Sequence, residues 1–183
     1  MKKQIVIGAM MALTMMVLMA VAPPAGPEIY VAPADTTVFM SYGPDSFVVS
    51  VCVNSDVTGL MGWDITVQFD PSDLTLRRAA EGALPLGSGF ETFFWWFDPG
   101  TPGNLIRING AILGNTVDGP GPLFDLVFEK TSVGTTYVEL ITTEIRTGVN
   151  ASIPHATSDG MVIVDDDIAV EPATWGRVKD TYR

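Results

Sequence analysis

Leu60-Met61-Gly62-Trp63-Asp64-Ile65-Thr66-Val67-Gln68-Phe69-Asp70-Pro71 is the stretch that decides how this chain is read. Apolar and polar residues alternate without a break from Trp63 to Asp70. Trp63, Ile65, Val67 and Phe69 point one way on an extended backbone, and Asp64, Thr66, Gln68 and Asp70 the other. That period belongs to a strand with one face buried and one face free. Asp70-Pro71 ends it, because proline brings no ladder donor and fixes its own φ.

Working outward, the same pattern recurs. Short runs with strand periodicity occupy residues 36–40, 46–53, 74–76, 90–97, 105–113, 124–128, 135–141 and 161–164. Turn chemistry separates them: Gly43-Pro44-Asp45, Asn54-Ser55-Asp56, Asp70-Pro71-Ser72-Asp73, and the loop from Asp98 to Asn104. Phe47, Val49, Val51 and Val53 share one face, as do Ile106, Ile108 and Ile112, and Phe124, Leu126 and Phe128. Residues 79–89 read as glycine-rich and irregular, and a loose segment near Ile145 carries a short strand at most. Many short strands at close spacing, with scarce helical periodicity and no internal repeat, predict an all-β sandwich or barrel.

At 183 residues the chain suits one domain with its own core. Residues 1–22 have the form of a secretory signal peptide: Lys2 and Lys3, an apolar run, then Ala20-Val21-Ala22. The run is also close to the length that spans a bilayer, so an uncleaved anchor is the alternative. Residues 23–35, with Pro23-Pro24-Ala25-Gly26-Pro27, read as a Pro/Ala-rich linker. The sandwich is expected over 36–165. Residues 166–183 form a C-terminal tail, in which Thr174 would cap a short helix placing Trp175, Val178 and Tyr182 on one face.

The net charge is −11, and cleavage after Ala22 would remove Lys2 and Lys3 and leave −13. Such a surface disfavours nucleic acid and anionic membranes as partners. Cys52 is the single cysteine, which excludes an intrachain disulfide and a Cys-based zinc site. His155 is the single histidine, in Asn150-Ala151-Ser152-Ile153-Pro154-His155, with no nucleophile signature beside it. No catalytic set, cofactor or metal site is expected. Asp70 with Asp73, and Asp165-Asp166-Asp167, are the only acidic groupings that suggest calcium, and neither has a recognisable ligand spacing.

The most unusual composition is Phe93-Phe94-Trp95-Trp96-Phe97. Alternation sends Phe90, Thr92, Phe94 and Trp96 to the core and Glu91, Phe93, Trp95 and Phe97 outward. An outward aromatic stripe beside a carboxylate suits either a protein hot spot or a sugar-stacking platform.

Several of these runs together resemble the cohesin domain family. They are Phe47-Val48-Val49-Ser50-Val51, the stretch from Gly62 to Leu74, Gly89-Phe90-Glu91-Thr92-Phe93, the isoleucine-rich strand after Leu105, Gly121-Pro122-Leu123-Phe124-Asp125-Leu126-Val127-Phe128, and the closing Asp159-Gly160-Met161-Val162-Ile163-Val164. The resemblance implies a jelly-roll β-sandwich of about nine strands. It implies a non-catalytic module that holds a dockerin-like protein within an extracellular polysaccharide-degrading or surface assembly. It also implies a partner-binding sheet face, carried over by position to Asp64, Thr66, Gln68, Glu91, Phe93, Trp95, Arg107 and Asn109. Gly62 stands where the family has a polar contact residue, and Phe93 where a small apolar residue is common. No Asp-x-Asn-x-Asp-Gly loop, the mark of a dockerin, is present. A carbohydrate-binding module using Phe93 and Trp95 as stacking residues, and a purely structural component of a surface assembly, are the alternative readings.

Overall fold

A computed structural model of the chain describes residues 26–41, 43–97 and 104–166. The strands in chain order are β1 (Glu28–Ala32), β2 (Asp35–Phe39), β3 (Ser46–Val53), β4 (Leu60–Gln68), β5 (Leu74–Glu81), β6 (Glu91–Phe97), β7 (Leu105–Leu113), β8 (Gly121–Lys130), β9 (Gly134–Thr147), β10 (Ala156–Ser158) and β11 (Gly160–Asp165). One short helix, α1 (Ala83–Leu86), follows β5. No described helix is long and apolar enough to cross a membrane.

The strands form two sheets, in the orders β10-β1-β3-β8-β5 and β2-β11-β9-β4-β7-β6. The expected all-β sandwich is therefore present, built on eleven strands rather than about nine. The core lies between the layers. Ile65, Val67, Ile106, Ile108, Ile112 and Ile145 come from the six-stranded sheet, and Ile29, Val49, Val51, Phe124, Leu126 and Phe128 from the five-stranded one. The Phe69 and Phe128 rings meet edge-on across the layers, with centroids 4.9 Å apart. Three of the expected inward sets, on β3, β7 and β8, face this core.

Four expectations are corrected. Residues 23–35 are not all linker: Glu28–Ala32 is a strand, antiparallel to β3 and parallel to β10. Ile29 and Val31 are buried. The alternation Ile29-Tyr30-Val31 sits between Pro27 and Pro33, and the prolines flank the strand without entering it. The sandwich thus includes residues before position 36.

Residues 79–81 are strand, not irregular: β5 continues to Glu81 along β8. A register shift between Leu76 and Arg78 breaks the simple alternation there, while Arg77 pairs with Glu129. The loose segment near Ile145 belongs to β9, a single strand of 14 residues. Phe90 does not face the core. It precedes the first β6 ladder pair, Glu91 with Leu113, and follows Gly89, whose φ is +76°, so it stands exposed. Residues 1–22, expected as a signal peptide, most of the tail including Trp175, and Asp167 lie outside the described residues.

Candidate functional site: the outer face of the six-stranded sheet

Ladder register sets the outer face in rows. Asp64 on β4 lies opposite Asn109 on β7, which lies opposite Trp95 on β6. The next row runs Thr66, Arg107, Phe97. On the other side, Gly62, Ala111 and Phe93 form a row, with Glu91 opposite Leu113 beyond it. Gln68 is opposite Leu105. All eight residues expected at a partner-binding face therefore share one face of one sheet. Their inward neighbours Trp63, Ile65, Val67, Ile106 and Ile108 are buried.

The face has two chemically different parts. At the β6 edge, Phe93 is 53% exposed, Trp95 49% and Phe97 47%, and Leu113 on β7 adds another 47% exposed side chain. Trp95 and Phe97 stack nearly parallel, with centroids 5.6 Å apart and an interplanar angle of 9°. Each ring thus covers part of its neighbour.

Towards β4 and β9 the face becomes ionic. Arg107 grips Asp64 through two bonds: Nε donates to Oδ1 at 2.8 Å, and Nη2 donates to Oδ2. The Arg107 hydrogen bond holds the Asp64 carboxyl below the ordinary carboxylate range. Partial burial opposes that shift, and the charges of Arg107 and Arg146 add to it. The same bond raises the Arg107 guanidinium further above its ordinary value. Arg146, opposite Gly62, bonds Glu144, which is opposite Asp64. Gly62 and Ala111 leave the face shallow between Arg146 and Phe93.

Sequence reasoning missed the β9 contribution. Thr142, Glu144 and Arg146 extend the three rows of β4 on its other side. Period-2 reading fails along β9 because Leu140 and Thr142 pair with consecutive β4 residues, Val67 and Thr66, leaving Ile141 as a bulge. Before the bulge the inward residues are Thr136 and Val138; after it the inward residue is Ile145. The signal available was Glu144-Ile145-Arg146, a charged-apolar-charged triplet that extends the strand once a bulge is allowed.

The other candidate groups are used structurally. Asp70 Oδ1 accepts from the Ser72 backbone N–H at 2.8 Å and from its hydroxyl at 2.6 Å. Asp73 Oδ1 accepts from Ser132 Oγ at 3.0 Å. No group of three or more potential metal ligands occurs among the described residues. The His155 ring holds the Ile153 carbonyl through Nδ1 at 2.7 Å and Thr143 Oγ1 through Nε2 at 2.8 Å. Neither nitrogen is left for a serine nucleophile.

No family model and no curated protein matches the chain. Solved structures do. A non-cellulosomal cohesin from the archaeon Archaeoglobus fulgidus superposes with a TM-score of 0.60 at 17% identity, covering 83% of this chain and 98% of that one. The fold is that of a cohesin module. The seventh ScaB type I cohesin from Pseudobacteroides cellulosolvens gives a TM-score of 0.63 at 13% identity, over 80% of this chain and 96% of that one. The sixth cohesin of scaffoldin B from Acetivibrio cellulolyticus, solved in complex with a dockerin, gives 0.60 at 17% identity, over 76% and 99%. The cohesin fold and the resemblance read in the sequence thus agree, although few residues are shared.

Proposed function

We propose that this chain is a non-catalytic binding module that holds a protein partner on the outer face of its six-stranded sheet. The observation that carries the reading is the contiguous stripe Phe93, Trp95 and Phe97, half-exposed along one strand and flanked by the Asp64–Arg107 pair. A few aromatic anchors beside oriented charges are what a protein hot spot needs. The cohesin fold supports it, since several of the similar structures are complexes with dockerins. In its finer form the reading is a dockerin-like partner, met after export, within an extracellular polysaccharide-degrading or surface assembly. The leader-like residues 1–22 and the cohesin resemblance support that form.

Capture from the native secretome on immobilised wild-type chain, with Trp95→Ala in parallel, tests it. A protein retained by wild type and reduced at least tenfold by Trp95→Ala is the expected outcome. Equal retention by both chains removes Trp95 from the site and with it this reading. Retention of the chain on insoluble polysaccharide, abolished by the same substitution, would replace the protein partner with a glycan.

A further inference from the structure

Strand β6 ends the six-stranded sheet and pairs only with β7 among the described strands. Its outer backbone edge is a row of groups able to pair with another strand. Natural edges are usually blunted by bulges, prolines or lysines. The β6–β7 ladder runs through seven residues without a register shift, and the strand has no proline, no lysine and a single charge, Glu91. Its outward side chains beyond Glu91 are all aromatic.

From these features we propose that two copies of this chain associate by antiparallel pairing of β6 with β6, making one continuous sheet across a two-fold axis. The register follows from the strand itself. Outward residues must meet outward residues, because a one-residue slip would set exposed rings against inward ones. Full overlap of the strand then centres the axis on Phe94. Phe93 of one copy lies opposite Trp95 of the other, and Glu91 lies opposite Phe97. Phe93 and Trp95 of the two copies then form the middle of a larger aromatic block, and each Phe97, stacked on its own Trp95, stands at one end of it.

Charge agrees with this register. The two Glu91 carboxylates are set at opposite ends of the seam, about 20 Å apart along the strand direction. Each lies two strands from the Arg107 of the other copy, which neighbours Phe97. No like charges face each other across the seam. The acidic surface elsewhere opposes association at long range, and that repulsion is screened by salt. Self-pairing through an edge also leaves the outer face of both copies open, so it is separable from partner binding on that face.

Sedimentation of the full chain, without any partner, reads the association directly. The weight-average mass should rise with concentration from 19.6 kDa towards twofold, and rise further at higher salt. A monomer at every concentration and salt overturns the proposal, as does an association that salt weakens. Cross-linking tests the register. Across an antiparallel pair, opposed Cα atoms are about 4.5–5.5 Å apart, within disulfide reach. Oxidation of an equimolar mixture of Glu91→Cys and Phe97→Cys chains should link one to the other. Glu91→Cys alone should link at least tenfold less. Equal linking of Glu91→Cys alone shows a different pairing and overturns the two-fold seam. Cys52 is buried and does not compete.

Discussion

Gly110 lies directly opposite Trp63 in the β4–β7 ladder, and the Trp63 indole occupies the space where a Gly110 side chain would stand. A Cβ built on Gly110 would come within 2.0 Å of Trp63 Cζ2 and 2.1 Å of Cε2. The ring lies over the neighbouring strand's backbone and is 3% exposed. This packing fixes the centre of the sheet that carries Asp64, Asn109 and Trp95.

Gly110→Ala should therefore destabilise the domain by about 1–3 kcal/mol or more through overpacking. Trp63→Phe removes much of the obstructing ring, so the same change in that background should cost less than the sum of the two single effects. Urea unfolding of the four proteins measures the coupling. Strict additivity would show that Gly110 and Trp63 do not share this space.

The Asp64–Arg107 pair makes an acid-side prediction. Because the folded Asp64 carboxyl is held below its ordinary value, the pair contributes stability above that value. The contribution is lost as pH falls through the lowered folded value, that is, below about pH 4. The stability difference between wild type and Asp64→Asn should thus be present at neutral pH and shrink in that acid range. It should also be small, because Arg107 is solvent-exposed and such pairs are well screened. Thermal melts across pH, with both proteins side by side, provide the check.

Along β9, two isoleucines four residues apart should behave oppositely. Ile141 forms the bulge and is 50% exposed, whereas Ile145 is wholly buried. Ile145→Ala should cost about 2–5 kcal/mol. Ile141→Ala should stay within about 0.5 kcal/mol, as a surface change does. Similar costs for the two would mean that the bulge lies elsewhere on the strand.

Cys52 supplies an alkaline counterpart. Burial first, and the Asp125 charge second, push its thiol up from 9.0 to about 11. A raised folded value favours the folded state at low pH, and that contribution is lost as pH rises from 9.0 towards about 11. At pH 8 the native thiol should alkylate roughly 100-fold more slowly than the unfolded one, from thiolate fraction alone. Cys52→Ser should be less stable than wild type near neutral pH and lose part of that deficit in alkali. Mass spectrometry after timed alkylation, with and without urea, measures the first effect.

Much of this architecture was legible from alternation. Trp63, Ile65, Val67 and Phe69 turn inward together, and the split of the Phe93–Phe97 run between core and surface is the one that period 2 predicts. Alternation works there because β4 and β6 each have one buried face and no internal bulge on their ladders with β7. It fails where the ladder slips. The bulge at Ile141 changes which residues face inward, so the second half of β9, with Glu144 and Arg146, was invisible to a single-period reading. The shift near Arg77 hid the end of β5 in the same way. β1 was lost to its flanking prolines, which mark composition more loudly than Ile29 and Val31 mark a core strand. The position of Arg107 on the face was legible, but its grip on Asp64 depends on a cross-strand diagonal that only a register supplies.

The outer face is not uniform, and that has a directional consequence. Aromatic rings crowd its β6 margin, while Asp64, Arg107, Glu144 and Arg146 occupy its middle. An evenly greasy surface could be met by a partner in several rotations with similar gain. For the proposed partner, a half-turn would set its apolar patch over paired ions and its polar groups over rings, which would favour one orientation. On the proposed function, the asymmetry of the sheet would work as a key that admits its counterpart one way round.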